Sequence, residues 1–216
     1  MGILSVTIDD QIRIDAVKVR VHATFSGSSR LLGGTAARQA AEVRQLVSAL
    51  AAIGLGEDAV EVEGVRIETG SGALKLGQSA RVQVVVTSPN ESTGDVLGIL
   101  GSQGGVVVER LEWVYDGFEA SLPAVADAMV KARRKADAIA AAAGLTVTGV
   151  KQVSDSWRMP MRELALPAPM AYAARGAASD SMDFGVEVNS STTLDIHLSV
   201  DFEIAAATPS GSGEEG

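Results

Sequence analysis

The chain has two histidines, His22 and His197, and no cysteine, so thiolate metal sites, disulfides and thiol catalysis are excluded and imidazole chemistry has two places to reside. Both histidines fall on the polar parity of alternating stretches, and neither has a companion at the spacing that metal ligands use. Asp195 and Asp201 share the parity of His197. Neighbours along one strand do not by themselves converge on a nucleophile, as a Ser-His-Asp arrangement must. Each histidine is therefore expected to be solvated or to lie on a sheet surface. Gly101-Ser102-Gln103-Gly104-Gly105 follows a helical stretch and precedes a strand. Phosphate cradles need the opposite order, with a helix N-terminus facing the anion, so this run reads as a helix C-cap and turn. Asp180 and Asp183 are too sparse for a calcium loop, and Glu57, Asp58, Glu61 and Glu63 read as charges flanking a strand. No catalytic, cofactor-binding or metal-binding residue is expected.

Two clusters remain as contact candidates. Lys131, Arg133, Arg134 and Lys135 form a dense basic group, of which Lys131, Arg134 and Lys135 lie away from the apolar stripe of their helix. They suit a solvated face, with Asp127 and Lys131 as an i, i+4 pair, or an acidic surface on a partner or neighbouring subunit. The segment WRMPMRELALPAPMAY gathers Trp157, Met159, Met161, Met170 and Tyr172 among prolines. Methionines adapt to irregular contacts and prolines stiffen an extended arm, so this stretch is either a satellite core or an arm docking on another subunit.

The elements that must position these residues follow from period. Val17, Val19, Val21, Ala23 and Phe25 alternate with polar residues as a first strand. After a Gly/Ser-rich stretch, Thr35 caps a helix whose stripe is Ala36, Ala40, Val43, Val47 and Leu50, stopped by Gly54. Val60 and Val62, a phase slip at Gly64, then Val65 and Ile67 predict a bulged strand, and Val82, Val84 and Val86 its antiparallel neighbour. A short helix over Thr93–Leu100 precedes a strand carrying Val107, Leu111, Trp113 and Tyr115 on one parity. Glu109 interrupts that strand and suggests a sheet edge or strand end. The order β-α-β-β-α-β is that of a ferredoxin-like unit with two helices on one face of an antiparallel sheet.

A long alanine-rich helix from Ser121 to Ala143 comes next, with Ser121 as N-cap, Pro123 in the first turn, and a stripe of Leu122, Val125, Met129, Ala132, Ala136, Ile139 and Ala143. Gly144 ends it. Val147–Val153 is a strand, Asp155–Asp183 a long irregular segment, and the final strand alternates Leu194, Ile196, Leu198, Val200, Phe202 and Ile204 with polar residues. The tail AAATPSGSGEEG reads as disordered. The fold class is α+β, one domain over residues 1–204 with sub-parts 1–116 and 117–204.

Composition narrows function further. The 216 residues are 46% hydrophobic but only 4% aromatic, giving an aliphatic core with few rings for stacking on bases. A net charge of −9 repels phosphate backbones and anionic membranes. Neither a leader peptide nor an apolar run of membrane-spanning length is seen. The expectations are a cytoplasmic location with no nucleic-acid or membrane partner and no cofactor.

The stretch KARRKADAIAAAAGLTVTGVKQVSDS, a helix with alanines four apart broken by Gly-Leu and followed by a strand, resembles the signature region of the SIMPL domain family. Asp15-Ala16 before an alternating strand, Ile53-Gly54 at a helix end and GVEVNSSTTLDIHLSVDFEI near the end fall in that family's order. The resemblance spans roughly Gln11 to Ile204. Family members usually carry Pro where this chain has Ile14, and a glycine-tyrosine where it has Gln78-Ser79. What the resemblance implies is a non-enzymatic α+β protein that assembles into rings in bacteria, where members are linked to stress responses, and that in animals partners Pelle-like kinases. It supplies no catalytic residues.

The expected function is thus a self-associating structural or interaction protein; the alternative is a small-ligand or peptide-binding module using a sheet face. The alternation of the final strand generates a first prediction. Leu198→Lys should unfold or dissociate the protein, read by thermal melt, and an unchanged midpoint would show that this parity does not face a core.

Overall fold

The alternating stretches form strands and the capped stretches helices in the computed structural model, which describes residues 2–29, 35–69, 78–159, 164–165 and 190–206. In chain order these are β1 (Gly2–Asp15), β2 (Lys18–Ser29), α1 (Thr35–Ala51), β3 (Val60–Thr69), β4 (Gln78–Pro89), α2 (Thr93–Ser102), β5 (Val106–Val114), α3 (Gly117–Ala142), β6 (Leu145–Arg158), β7 (Leu164–Ala165) and β8 (Ser191–Ala206). The fold is α+β with antiparallel sheets. The chain divides into two compact units. Unit 1 is Met1–Asp15, Asp116–Met161 and Ser191–Gly216; unit 2 is Ala16–Tyr115 and Arg162–Ser190.

Unit 2 holds the expected order β-α-β-β-α-β, in a sheet ordered β3-β4-β2-β5-β7. One parity of β2 (Val19, Val21, Ala23, Phe25) packs with Val82, Val84 and Val86 of β4 and with Leu46, Leu50, Val96 and Leu100 of the two helices. The α1 stripe holds at Val43 and Leu50 and is shifted elsewhere. Ala40 is exposed, while Gln39, Leu46 and Leu50 are buried. The residues that reach the sheet are the long ones, with Gln39 filling an apolar position although its amide has no hydrogen-bond partner. Gly54 follows α1 with φ +85°, a left-handed turn that stops a helix without Cβ strain. The bulge expected at Gly64 is present between Val62 and Gly64. A second lies at Glu109, because Ala23 pairs with Val108 and His22 with Arg110. It reverses parity, so Val106 and Val108 pack on the core and Val107 does not share the face of Leu111 and Trp113.

Unit 1 is a three-stranded sheet, β1-β8-β6, with α3 packed on one face. Its first strand precedes the first one expected: Gly2–Asp15 pairs with β8 along its whole length. β6 extends to Arg158, so Asp155–Arg158 belong to a regular strand rather than to an irregular segment. Leu164–Ala165 pairs with β5 in unit 2. Residues 160–163 and 166–183 of the expected irregular segment, and residues 207–216 of the expected tail, lie outside the described residues; Ala205 and Ala206 belong to β8.

The long helix begins earlier than Ser121. Asp116 is the N-cap, its carboxylate accepting from the Glu119 amide at 3.1 Å. Ser121 is buried inside the helix and donates to the Phe118 carbonyl at 2.7 Å, and Pro123 lies within the helix rather than in its first turn. The buried stripe is Ala124, Ala128, Ala132, Ala136 and Ala140. Leu122 and Ile139, expected inside, are 48% and 43% exposed. Residues four apart advance by about 40° per step, so the stripe winds round the helix and follows the twist of the strands beneath it. Alanine lets the helix backbone approach Leu198, Val200 and Phe202, all fully buried in β8. Gly144, φ +71°, ends the helix.

This close approach leaves no room for a larger residue. Ala132→Leu should cost about 1–3 kcal/mol through overpacking, measured by urea unfolding, whereas Ala138→Leu on the exposed face should change stability by less than about 0.5 kcal/mol.

Candidate functional site

The helix-free face of unit 2 is set by the other parity of β2. Arg20, His22, Thr24 and Ser26 alternate with the core residues, so the same twofold period that builds the core aligns polar side chains opposite it. His22 lies on this sheet surface, one of the two places expected for it, but is only 6% exposed, enclosed by side chains from β3 and β5. Its Nδ1 lies 3.6 Å from Glu63 Oε2 and its Nε2 3.2 Å from Glu112 Oε2 and 3.5 Å from Arg110 Nη2. Arg20 Nη1 donates to Glu112 Oε2 at 3.3 Å. Burial pushes the Glu112 carboxyl up, but the His22 hydrogen bond and the charges of Arg20, His22 and Arg110 together hold it below the ordinary glutamate value. With its two ring nitrogens facing different carboxylates, His22 ties strands together rather than serving as a free base.

Further along this face a groove of about 530 Å³ is lined by Thr24, Ser26, Gly64, Val65, Arg66, Arg81, Gln83, Val107 and Glu109. Thr24 Oγ1 donates to Glu109 Oε1 at 2.6 Å. Sequence reasoning missed this groove because its residues come from four strands. The available signal was Gly64 and Glu109, whose phase slips bring Arg66 and Val107 onto the open face.

Unit 1 places the expected contact residues differently. Lys131 forms an ion pair with Asp10 of β1 rather than with Asp127. Hydrogen bonds from Lys131 and the Gln11 amide lower the Asp10 carboxyl, and Asp10 raises the Lys131 ammonium. Lys135 donates to the Thr7 carbonyl at 3.3 Å. Arg134 is exposed and has no ion pair among the described residues. The basic cluster is therefore partly spent in pinning α3 to β1. Trp157 lies in β6 with its ring over Gly117, where a Cβ would come within 3.1 Å. Met159 is half-buried; the side chains of Met161, Met170 and Tyr172 lie outside the described residues, as do Asp180 and Asp183.

His197 faces away from α3, its Nδ1 2.6 Å from Asp9 Oδ1, and Asp195 is held by Gln11 and Asp201 by Ser5. These acids are cross-strand partners of β1, and none converges with His197 on a nucleophile. Among the described residues no group of three or more His, Asp or Glu gathers as a metal site, and no helix is long and apolar enough to cross a membrane.

Compared with models of known protein families, residues 4–204 match SIMPL, described as a protein of unknown function (DUF541). No curated protein matches the chain significantly.

The Glu112 network yields a pH prediction. A carboxyl lowered in the folded state contributes stability that is present above its unfolded value, about 4.3, and is lost as pH falls through the lower folded value. Glu112→Gln should lower the melting temperature near neutral pH, and its gap from wild type should close in acid. A gap constant across the acid titration would show that the network does not hold the carboxylate charged.

Proposed function

The chain belongs to the SIMPL family, and we propose that it is a non-catalytic scaffold subunit that self-associates through the edge of β6 and the adjoining flank of α3. The observation that carries this reading is an apolar strip beside an unpaired strand edge. β6 pairs with β8 on one side and, among the described residues, with nothing on the other. Val150, Val153 and Trp157 pair with Phe202, Val200 and Ile196 and so share the helix-covered face. They remain 46%, 47% and 41% exposed. Leu122 and Phe118 of α3 add to the exposed apolar surface of this unit.

A 14-residue open edge is a template for another strand. A second copy supplies the same strand by two-fold symmetry, the commonest form of self-association. Antiparallel pairing centred on Val153 brings Lys151 of each copy opposite Asp155 of the other, joining unlike charges across the seam. Trp157 and Met159, the described start of the expected arm, lie at the end of the same strand and extend the surface. Use of such an assembly under stress is part of the proposal and follows the family resemblance.

Light scattering tests the reading. The full chain should exceed its 22.2 kDa monomer mass at micromolar concentration, and Val153→Lys should return it to monomer with a stability change below about 1 kcal/mol. A chain that stays monomeric when concentrated, or a variant whose size does not change, would remove self-association through β6.

A further inference from the structure

We propose that the groove on the helix-free face of unit 2 binds a small ligand bearing an oxyanion, a carboxylate or phosphate group, between Arg66 and Arg81. These arginines are direct cross-strand partners on β3 and β4 and line the same groove. Like charges placed opposite each other across a sheet destabilise it. Arg66 Nε has Glu68 Oε1 at 3.1 Å, whereas Arg81 has no ion pair among the described residues. An anion between the two guanidiniums removes the repulsion and accepts charge-assisted hydrogen bonds from both planar forks.

The remaining lining is graded for a ligand rather than for a closed network. Ser26 and Gln83 present hydroxyl and amide groups, Val107 forms an apolar wall, and Glu109 is held by Thr24. Gly64 keeps the floor open: a Cβ there would sit 3.1 Å from Gln83 Oε1. The volume of about 530 Å³ suits a small molecule. A net charge of −9 disfavours anions over the chain as a whole, so capture here depends on the local pair and should be selective for size and geometry. The inference does not rest on self-association, because groove and β6 belong to different units.

Calorimetric titration of the full chain with sodium phosphate and with sodium gluconate, against sodium chloride at matched ionic strength, tests the site and separates phosphate from carboxylate. Saturable binding of at least one of the two is expected, weakened tenfold or more in Arg66→Gln/Arg81→Gln and retained in Val153→Lys. In chloride buffer free of phosphate and carboxylate, Arg81→Gln alone should raise the melting temperature by about 1–4 °C, because it removes an uncompensated like charge. No saturable binding of either anion, or equal binding by the double variant, overturns the proposal. So does a melting temperature lowered by Arg81→Gln.

Discussion

Strand β8 bears on every other element of unit 1. It is the middle strand of its sheet, paired to β1 on one side and β6 on the other, and its residues Leu194 to Phe202 bury every second side chain. The alanines of α3 are complementary to that surface: bulk comes from the sheet and closeness from the helix. Because the chain brings its first and last described strands together in β1 and β8, unit 1 is assembled from its sequence-distant ends. Its loop-closure cost is therefore offset only when the whole set is in place.

Unit 2 solves the same problem with mixed-size residues. Two helices cover one face of its sheet with leucine and valine, and the opposite face carries the charges that β2, β3 and β5 cannot bury in the core. Where positive and negative residues meet, as around His22, the face is closed by ion pairs and hydrogen bonds. Where two arginines meet, it stays open as a groove. The two bulges decide which residues reach that face, since one extra residue reverses the parity of everything beyond it.

Much of this was legible in the residues. The twofold period of β2, β4 and β8, the glycine stops of α1 and α3, and the phase slip at Gly64 all stand where they were read. The α3 stripe holds at Val125, Met129, Ala132 and Ala136 and fails at Leu122 and Ile139, which are larger than alanine and dominate the hydrophobic pattern although the sheet selects for close approach. β1 was missed although Leu4, Val6, Ile8, Ile12 and Ile14 alternate; Asp10 breaks the run, and its charge is held by Lys131 from another element. The parity of His22 identifies its face, a sheet surface, and cannot show the carboxylates of Glu63 and Glu112 that lie over it.

The sequence by itself determined the periods, the stops and the small residues of the long helix, because these are consequences of local backbone geometry and side-chain size. It also determined that thiol chemistry has no place in the chain, which carries no cysteine. Only the tertiary structure decided which parity is covered and by what. The ion pairs of His22, the Arg66–Arg81 juxtaposition and the pairing of β1 with β8 join residues from 15 positions apart, Arg66 and Arg81, to 202 apart, Gly2 and Ile204, and strand register, which no local pattern contains, sets those meetings.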